Sequence, residues 1–132
     1  MPIVGRTELE TLLAAWRENG ESVALASGAF DVLHVGHVRY LNNARLSADR
    51  LIVAVSDDAS VEALEGAGRP ILPAADRAEL VAAFEVVDAA IICSAATAAD
   101  VREWIQPDTH CEDRDLMAQL TRDLIARIGD QF

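Results

Sequence analysis

The chain has 132 residues, of which 52% are hydrophobic and 25% are charged, so we expect residues 1–132 to form one soluble domain. Its formal net charge is −11 and its 11 basic residues are all arginines. This balance argues against nucleic acid and against an anionic membrane surface as partners. No apolar stretch is long enough to span a membrane and the N-terminus lacks a secretory signal, so we expect a cytoplasmic protein with reduced cysteines.

Short apolar runs alternate with amphipathic stretches along the chain. In chain order they predict a helix over 7–19, a strand over 23–26, a helix over 38–46, a strand over 51–55, helices over 58–64 and 76–86, a strand over 89–93, and helices over 98–104 and 114–128. Thr7 is the expected N-cap of the first helix, Asp57-Asp58 that of the third, and Leu80, Val81 and Phe84 are expected to face the core. The alternation predicts a Rossmann-like, doubly wound α/β domain with a parallel sheet.

The run from Gly28 to His37 follows the first predicted strand and leads into a helix. Helix N-termini present unpaired N–H groups and a partial positive charge, so they hold phosphate well. His34 and His37 lie on one helix face because they are three residues apart. Ligands of such sheets bind beyond the carboxyl ends of the strands, where this run falls. The run therefore predicts a phosphate-binding site.

The pattern Gly28-x-Phe30-Asp31-x-x-His34-x-Gly36-His37 resembles the signature of the nucleotidyltransferase superfamily that includes the cytidylyltransferases. Within that superfamily the longer similarity is to the heptose 1-phosphate adenylyltransferases, and it extends from about residue 9 to residue 108. Glycerol-3-phosphate cytidylyltransferases share most of the same sequence blocks.

The resemblance implies a reaction in which a sugar phosphate attacks the α-phosphate of a nucleoside triphosphate and pyrophosphate leaves, with Mg²⁺ bridging the phosphates. It implies that His34, His37 and Arg77 act on the phosphates, and that Arg69 and position 65 help to bind substrate. The residues implied in nucleotide binding are Gly28, Ala29, Phe30, Asp31, Gly36, Asp115 and Thr121. A homodimer is also implied.

The sequence departs from the family pattern at Glu65, where the family has a phosphate-binding lysine. A carboxylate there would repel phosphate, and two unit charges about 4 Å apart interact by roughly 4 kcal/mol at an intermediate dielectric. We therefore expect this reversal to lower activity strongly unless Glu65 points away from the site.

A second departure lies in the C-terminal region. The family has an apolar strand and a glycine-rich turn where this chain has residues 109–115, for which we expect a solvated acidic loop rather than a metal site. Asp115 matches the acidic position of that turn. A further strand is missing, so we expect a shortened sheet edge. Leu120-Thr121-Arg122 stands where the family has Ser-Thr-Thr at a helix start, and a helix from Arg114 would place Thr121 in mid-helix.

Three functions follow from this pattern. The first is transfer of a nucleoside monophosphate, with ATP favoured as donor, to a sugar phosphate such as heptose 1-phosphate. The second is a catalytically weakened or inactive homologue that binds a nucleotide or a protein partner. The third is a glycerol-3-phosphate cytidylyltransferase, which would use CTP.

Overall fold

The computed structural model describes residues 3–112 and 114–129 of the chain, with the side chains of 114–116 left out of the description. Within these residues four parallel strands form one sheet in the order β3-β2-β1-β4. The strands are β1 (Val23–Gly28), β2 (Arg50–Ser56), β3 (Ala89–Cys93) and β4 (Thr109–Cys111). The helices are α1 (Arg6–Glu18), α2 (Val35–Leu46), α3 (Asp58–Glu65), α4 (Ala74–Ala82), α5 (Ala98–Ile105) and α6 (Arg114–Gly129).

Both faces of the sheet are covered, which confirms the predicted Rossmann-like α/β fold. Helices α1 and α5 pack on one face, where Ile52 and Ala54 of β2 are buried. Helices α2 and α4 pack on the other face, where Leu51, Val53 and Val55 are buried. The run in β2 is apolar without interruption because its side chains meet a helix layer on either side.

The structure corrects two expectations about helix ends and faces. Helix α1 begins at Arg6, and its N-cap is Gly5, so Thr7 lies inside the first turn and does not cap the helix. Leu80 is 44% exposed, whereas Val81 beside it is fully buried. The buried face of α4 is formed by Arg77, Ala78, Val81 and Ala82, and Leu80 points away from that face. By contrast Asp57 caps α3 as predicted, since its carboxylate accepts a hydrogen bond from the N–H of Ser60 at 2.9 Å.

The expected solvated loop at residues 109–115 is wrong in its first part, because Thr109–Cys111 is strand β4 and pairs with β1. Asp108 aligns the two strands: its N–H donates to the carbonyl of Val23, and its carboxylate accepts from the N–H of Val23, both at 2.8 Å. Arg17 donates to the same carboxylate at 2.6 Å. The strand is too short to show alternation, and the edge that it forms is short, as predicted.

Two helix starts decide how the site is built. Helix α2 begins at Val35, three residues before the predicted start, so that His34 becomes its N-cap. Helix α6 begins at Arg114, and Thr121 therefore lies in mid-helix, as the sequence indicated. Over the described residues, none of the helices combines the length and the apolar character that crossing a membrane requires.

Candidate functional site

A pocket of about 270 Å³ lies at the carboxyl ends of the central strands, where the topology predicts a ligand site. Its walls come from the loop after β1, from α2 and α3, from the start of α5 and from α6. The predicted site residues that line it are Gly28, Ala29, Phe30, Asp31, His37, Glu65, Arg69 and Thr121. The structure thus brings together residues from most of the chain.

His34 is held at the start of α2 by two hydrogen bonds. Its Nδ1 accepts from the N–H of Gly36 at 3.0 Å. A neutral imidazole whose Nδ1 accepts must carry its proton on Nε2. Nε2 lies 3.3 Å from Oγ1 of Thr121 on α6 and therefore donates to that hydroxyl. His34 thus joins the N-terminus of α2 to the middle of α6.

His37 completes a capping box with His34. Its Nδ1 accepts from the N–H of His34 at 3.2 Å, so its proton also lies on Nε2. The His37 side chain is almost fully buried and lines the pocket, and its ring centroid lies 4.1 Å from that of His34. The Nε2–H is the group that His37 can present to a ligand.

Both imidazoles are neutral at neutral pH. Burial lowers the pKa of His34. Burial, with a smaller contribution from the charge of His34, lowers the pKa of His37 to about 4. The two rings therefore act in the ligand-free protein as N–H donors of fixed direction, and they are not cations.

Two glycines of the motif are required by close side-chain approach. A Cβ at Gly36 would lie 2.7 Å from Cε1 of His34, and one at Gly28 would lie 3.0 Å from Cε2 of Phe30. The space beside Gly28 is thus filled by the Phe30 ring. Phe30 itself has a φ of 52°, a left-handed conformation that is uncommon for a bulky residue, and its ring packs against that of His37.

Asp31 positions a loop. Its buried carboxylate accepts from Nε of Arg69 at 2.8 Å and from the N–H groups of Ile71 and Leu72 at 2.9 Å and 3.1 Å. These bonds fix the segment between α3 and α4 against the end of β1. The described contacts of the Asp31 carboxylate are thus with the protein itself, and they hold Arg69 against Asp31.

Arg77 corrects the expectation of a phosphate contact. Its side chain is fully buried, and it is absent from the pocket wall. Its guanidinium donates to the carbonyls of Ala29, Ser56 and Leu72 at 2.6 Å, 2.7 Å and 2.8 Å and to Asp58 at 2.7 Å. Because its donors satisfy the carbonyls that follow β1 and β2, Arg77 is a positioning residue.

Glu65 lines the pocket, but its carboxylate is paired with cations. Oε2 lies 3.8 Å from NH1 of Arg69 and 3.6 Å from NH1 of Arg122. The expected repulsion of phosphate by Glu65 is therefore offset by two neighbouring guanidinium groups. The contact of Arg122 with Glu65 could not be predicted, because nothing in the local sequence pattern links two residues so distant in the chain.

Tyr40 is a further pocket residue, which the sequence pattern did not indicate. Its hydroxyl lies 2.6 Å from the carbonyl of Cys111 and 3.1 Å from that of Ser27, and it lines the pocket. On the same side Nε2 of His110 lies 3.2 Å from the Ser27 hydroxyl, and burial lowers the pKa of His110. These hydrogen bonds connect β1 with β4. The sequence feature that could have indicated Tyr40 is its position three residues after His37, which places both side chains on one helix face.

The described residues contain no group of three or more side chains suited to a metal ion. Asp31 and Glu65, the carboxylates near the histidines, are each paired with arginine. This environment fits a Mg²⁺ ion that is held through a ligand's phosphates rather than by a cage of protein carboxylates. The side chain of Asp115, a predicted nucleotide contact, lies outside the described residues.

Known proteins share the sequence pattern and the fold of this chain. Residues 25–131 match the family model described as Cytidylyltransferase-like. A solved structure, the lipopolysaccharide core biosynthesis protein from Thermoplasma volcanium GSS1, superposes with a TM-score of 0.64 at 30% identity, over 69% of this chain and 73% of the other.

Curated relatives include the Bifunctional protein HldE of several bacteria. The protein of Koribacter versatilis is 43% identical over 80% of this chain, and that of Nitrobacter hamburgensis is 46% identical over 76%. The protein of Edwardsiella ictaluri is 38% identical over 97% of the chain. The matches cover 22%, 21% and 24% of those proteins, so this chain spans less than a quarter of their length.

Proposed function

Because this chain belongs to the cytidylyltransferase-like family, we propose that it transfers a nucleoside monophosphate from a nucleoside triphosphate to a sugar phosphate and releases pyrophosphate. The observation that carries the proposal is the pair of Nε2–H donors of His34 and His37 at the N-terminus of α2, beside a pocket at the carboxyl ends of the strands. Two imidazole N–H groups of fixed direction at one helix N-terminus form an anion-binding arrangement, to which the dipole of α2 adds partial positive charge.

In this mechanism an oxygen of the sugar phosphate bonds to the α-phosphorus while the bond from that phosphorus to the bridging oxygen breaks. Negative charge develops on the phosphoryl oxygens, so positioning and charge stabilisation matter more than a protein nucleophile. The Nε2–H of His37 would donate to an oxygen of the triphosphate. The Nε2–H of His34 would exchange its bond to Thr121 for a phosphate oxygen. Mg²⁺ bound through the phosphates would neutralise charge.

We propose ATP as the favoured donor and heptose 1-phosphate as the acceptor. Support comes from the sequence blocks shared with heptose 1-phosphate adenylyltransferases and from the similarity to the lipopolysaccharide core biosynthesis protein of Thermoplasma volcanium GSS1. CTP with glycerol 3-phosphate is the second pair to test, because the cytidylyltransferases share most of the motif.

A binding module without turnover is the alternative function. It is favoured by the loss of the Ser-Thr-Thr helix start, since Thr121 lies in mid-helix and its hydroxyl faces His34. The reversed charge at position 65 is a weaker reason to favour a binding module, because the Glu65 carboxylate is paired with two arginines.

The test is pyrophosphate release with Mg²⁺ and each pairing of ATP or CTP with heptose 1-phosphate or glycerol 3-phosphate. We expect release with one pair, its loss when EDTA removes Mg²⁺, and a decrease in kcat of about 10²- to 10³-fold in H37Q, as for removal of one donor to a developing charge. R39Q, a change on the exposed side of the same helix, is the control and should leave kcat unchanged.

Two results would contradict the proposal in different ways. Binding of ATP or CTP without pyrophosphate release from any pair would favour the binding module. Absence of both binding and release would exclude a nucleotide site of either kind.

A further inference from the structure

We infer that Arg122 is a phosphate-binding residue of this protein, and that it supplies from α6 the positive charge that Glu65 does not. The inference deepens the proposed function and rests on it. It starts from the contact between Glu65 of α3, which lines the pocket, and Arg122 of α6, whose guanidinium lies 3.6 Å from that carboxylate, just behind the pocket wall.

The charged side chains that line the pocket do not give it a net positive charge. Among the described side chains that line it, the charged ones are the carboxylates Asp31, Glu65 and Glu112 and the guanidinium groups Arg69 and Arg102. Carboxylates therefore outnumber guanidinium groups, and both histidines near the phosphate position are neutral. A triphosphate carries several negative charges, so a further cation at this position would be expected to strengthen its binding.

Arg69 is poorly placed to be that cation. Its Nε donates to the buried carboxylate of Asp31 at 2.8 Å, and its side chain is only 13% exposed. Arg77 is fully buried and donates to backbone carbonyls and to Asp58. Both guanidinium groups hold the loops after β1 and β2 in place through these hydrogen bonds. A phosphate could bind either guanidinium only if those hydrogen bonds were broken.

Arg122 differs from both in how loosely it is held. Its NH1 lies 3.6 Å from Oε2 of Glu65, which is beyond hydrogen-bond distance, and its side chain is 48% exposed. Because the guanidinium is half exposed and makes no hydrogen bond to the Glu65 carboxylate, this ion pair contributes little stability and is readily exchanged for a better anion. Arg122 also follows Thr121, whose hydroxyl is bonded to His34. A phosphate at the histidines would therefore lie near the α6 turn that carries Arg122.

Glu65 acquires a positioning role from this arrangement. In the ligand-free protein its carboxylate holds the Arg122 guanidinium beside the pocket, and a bound triphosphate would replace that carboxylate as the partner. The lysine of the family at position 65 would be replaced in function by an arginine from the facing helix.

The experiment measures the binding of ATP and CTP with Mg²⁺, and of AMP and CMP, to the wild-type protein and to R122Q, R122K and R127Q. Arg127 lies on the same helix and is exposed, so R127Q is the matched control for the lost charge. We expect R122Q to weaken triphosphate binding by about 10- to 100-fold, as for loss of a charge-assisted contact. Monophosphate binding, R127Q and R122K should stay within a few-fold of wild type.

A rescue variant separates a ligand contact from a structural role. E65K/R122Q places the cation at position 65 and should recover most of the triphosphate affinity lost in R122Q. Triphosphate binding by R122Q equal to that by R127Q, an equal loss for monophosphates, or no recovery in E65K/R122Q would overturn the inference while leaving the proposed function intact. Failure of the wild-type protein to bind either triphosphate would overturn the proposed function itself, before any variant is compared.

Discussion

Backbone N–H groups select the tautomer of the two imidazoles of the site. Each Nδ1 accepts from the main chain, at Gly36 for His34 and at His34 for His37, so each Nε2 carries the proton. The sequence predicted the face that these rings share, but not their neutrality. Neutrality follows from burial, and burial of His37 depends on packing against Phe30, whose left-handed backbone no local pattern indicated.

The lowered pKa of His37 predicts a loss of stability on acidification. In the unfolded chain this pKa is about 6.5, and in the folded protein it is about 4. Between these values the unfolded state binds a proton that the folded state does not, so stability falls as pH decreases through this window. The full effect is roughly 3 kcal/mol. Urea unfolding of wild type and H37Q at pH 7 and pH 4.5 checks it, because H37Q should lose less stability.

Other groups with lowered pKa values should not produce the same difference in acid sensitivity between wild type and H37Q. Backbone and side-chain hydrogen bonds lower the pKa values of Asp49, Asp57 and Asp108, and their contributions are lost only at more acidic pH. Burial lowers the pKa values of His34 and His110, which remain in both proteins. Equal losses in wild type and H37Q would show that His37 does not resist protonation in the fold.

The buried guanidinium of Arg77 predicts a large stability effect with no direct role in binding. In R77M the carbonyls of Ala29, Ser56 and Leu72 would lose their donor. We expect the free energy of unfolding to decrease by about 3–5 kcal/mol, as when one partner of a buried polar network is removed. R39M, an exposed arginine on α2, should change it by less than about 0.5 kcal/mol. Comparable urea midpoints for R77M and R39M would contradict this role.

At the scale of elements, the junction between α2 and α6 determines the geometry of the site. Sequence patterns predicted both helices, and they predicted that Thr121 would lie in mid-helix. They did not predict that α6 would contact His34 or Glu65, because such contacts depend on how a helix packs after a three-residue strand. The strand β4 was missed for a related reason, since its order comes from Asp108 and from pairing with β1.

Gly36 is the position where this junction tolerates no side chain. In G36A the added Cβ would lie 2.7 Å from Cε1 of His34 and 3.2 Å from Cδ1 of Leu120, so the imidazole must shift and the Leu120 side chain must give way slightly. A displacement of about 1 Å at a catalytic group can lower the rate by about 10²-fold. We expect that loss in pyrophosphate release, while G5A, whose Cβ meets nothing within 4 Å, keeps the wild-type rate. A fully active G36A would show that the position of the ring is not critical.

At the scale of the whole molecule, the strand order places the loops after β1, β2 and β3 around one pocket. That placement could be predicted, because alternating strands and helices specify a parallel sheet and a parallel sheet specifies its ligand edge. The charge balance of the pocket could not, since Glu65 gains its partners only when α3 meets α6. The motif that resembles the family lies between β1 and α2, whereas α6 carries Leu120-Thr121-Arg122 in place of the family's Ser-Thr-Thr.

The oligomeric state is a prediction at this scale and comes from the family resemblance. We expect a homodimer, so light scattering at micromolar concentration should give about twice the chain mass of 14.2 kDa. A dilution series distinguishes a stable dimer from a concentration-dependent one. The mass of a single chain at every concentration would contradict the prediction.

The bonds of Arg77 also have a consequence for how a ligand reaches the pocket. The Arg77 guanidinium joins the backbone after β1 to the backbone after β2. These two segments form the floor of the pocket, and their common hydrogen-bond donor keeps the floor rigid. Within the described part of the chain, α6 on the facing side is joined to that floor by the 3.3 Å hydrogen bond from His34 to Thr121 and by the loose ion pair of Glu65 with Arg122. We therefore expect entry to be one-sided, with α6 swinging outward while the floor stays fixed. In hydrogen-exchange measurements, the amides of α6 should then change their protection on nucleotide binding far more than those of β1 and β2.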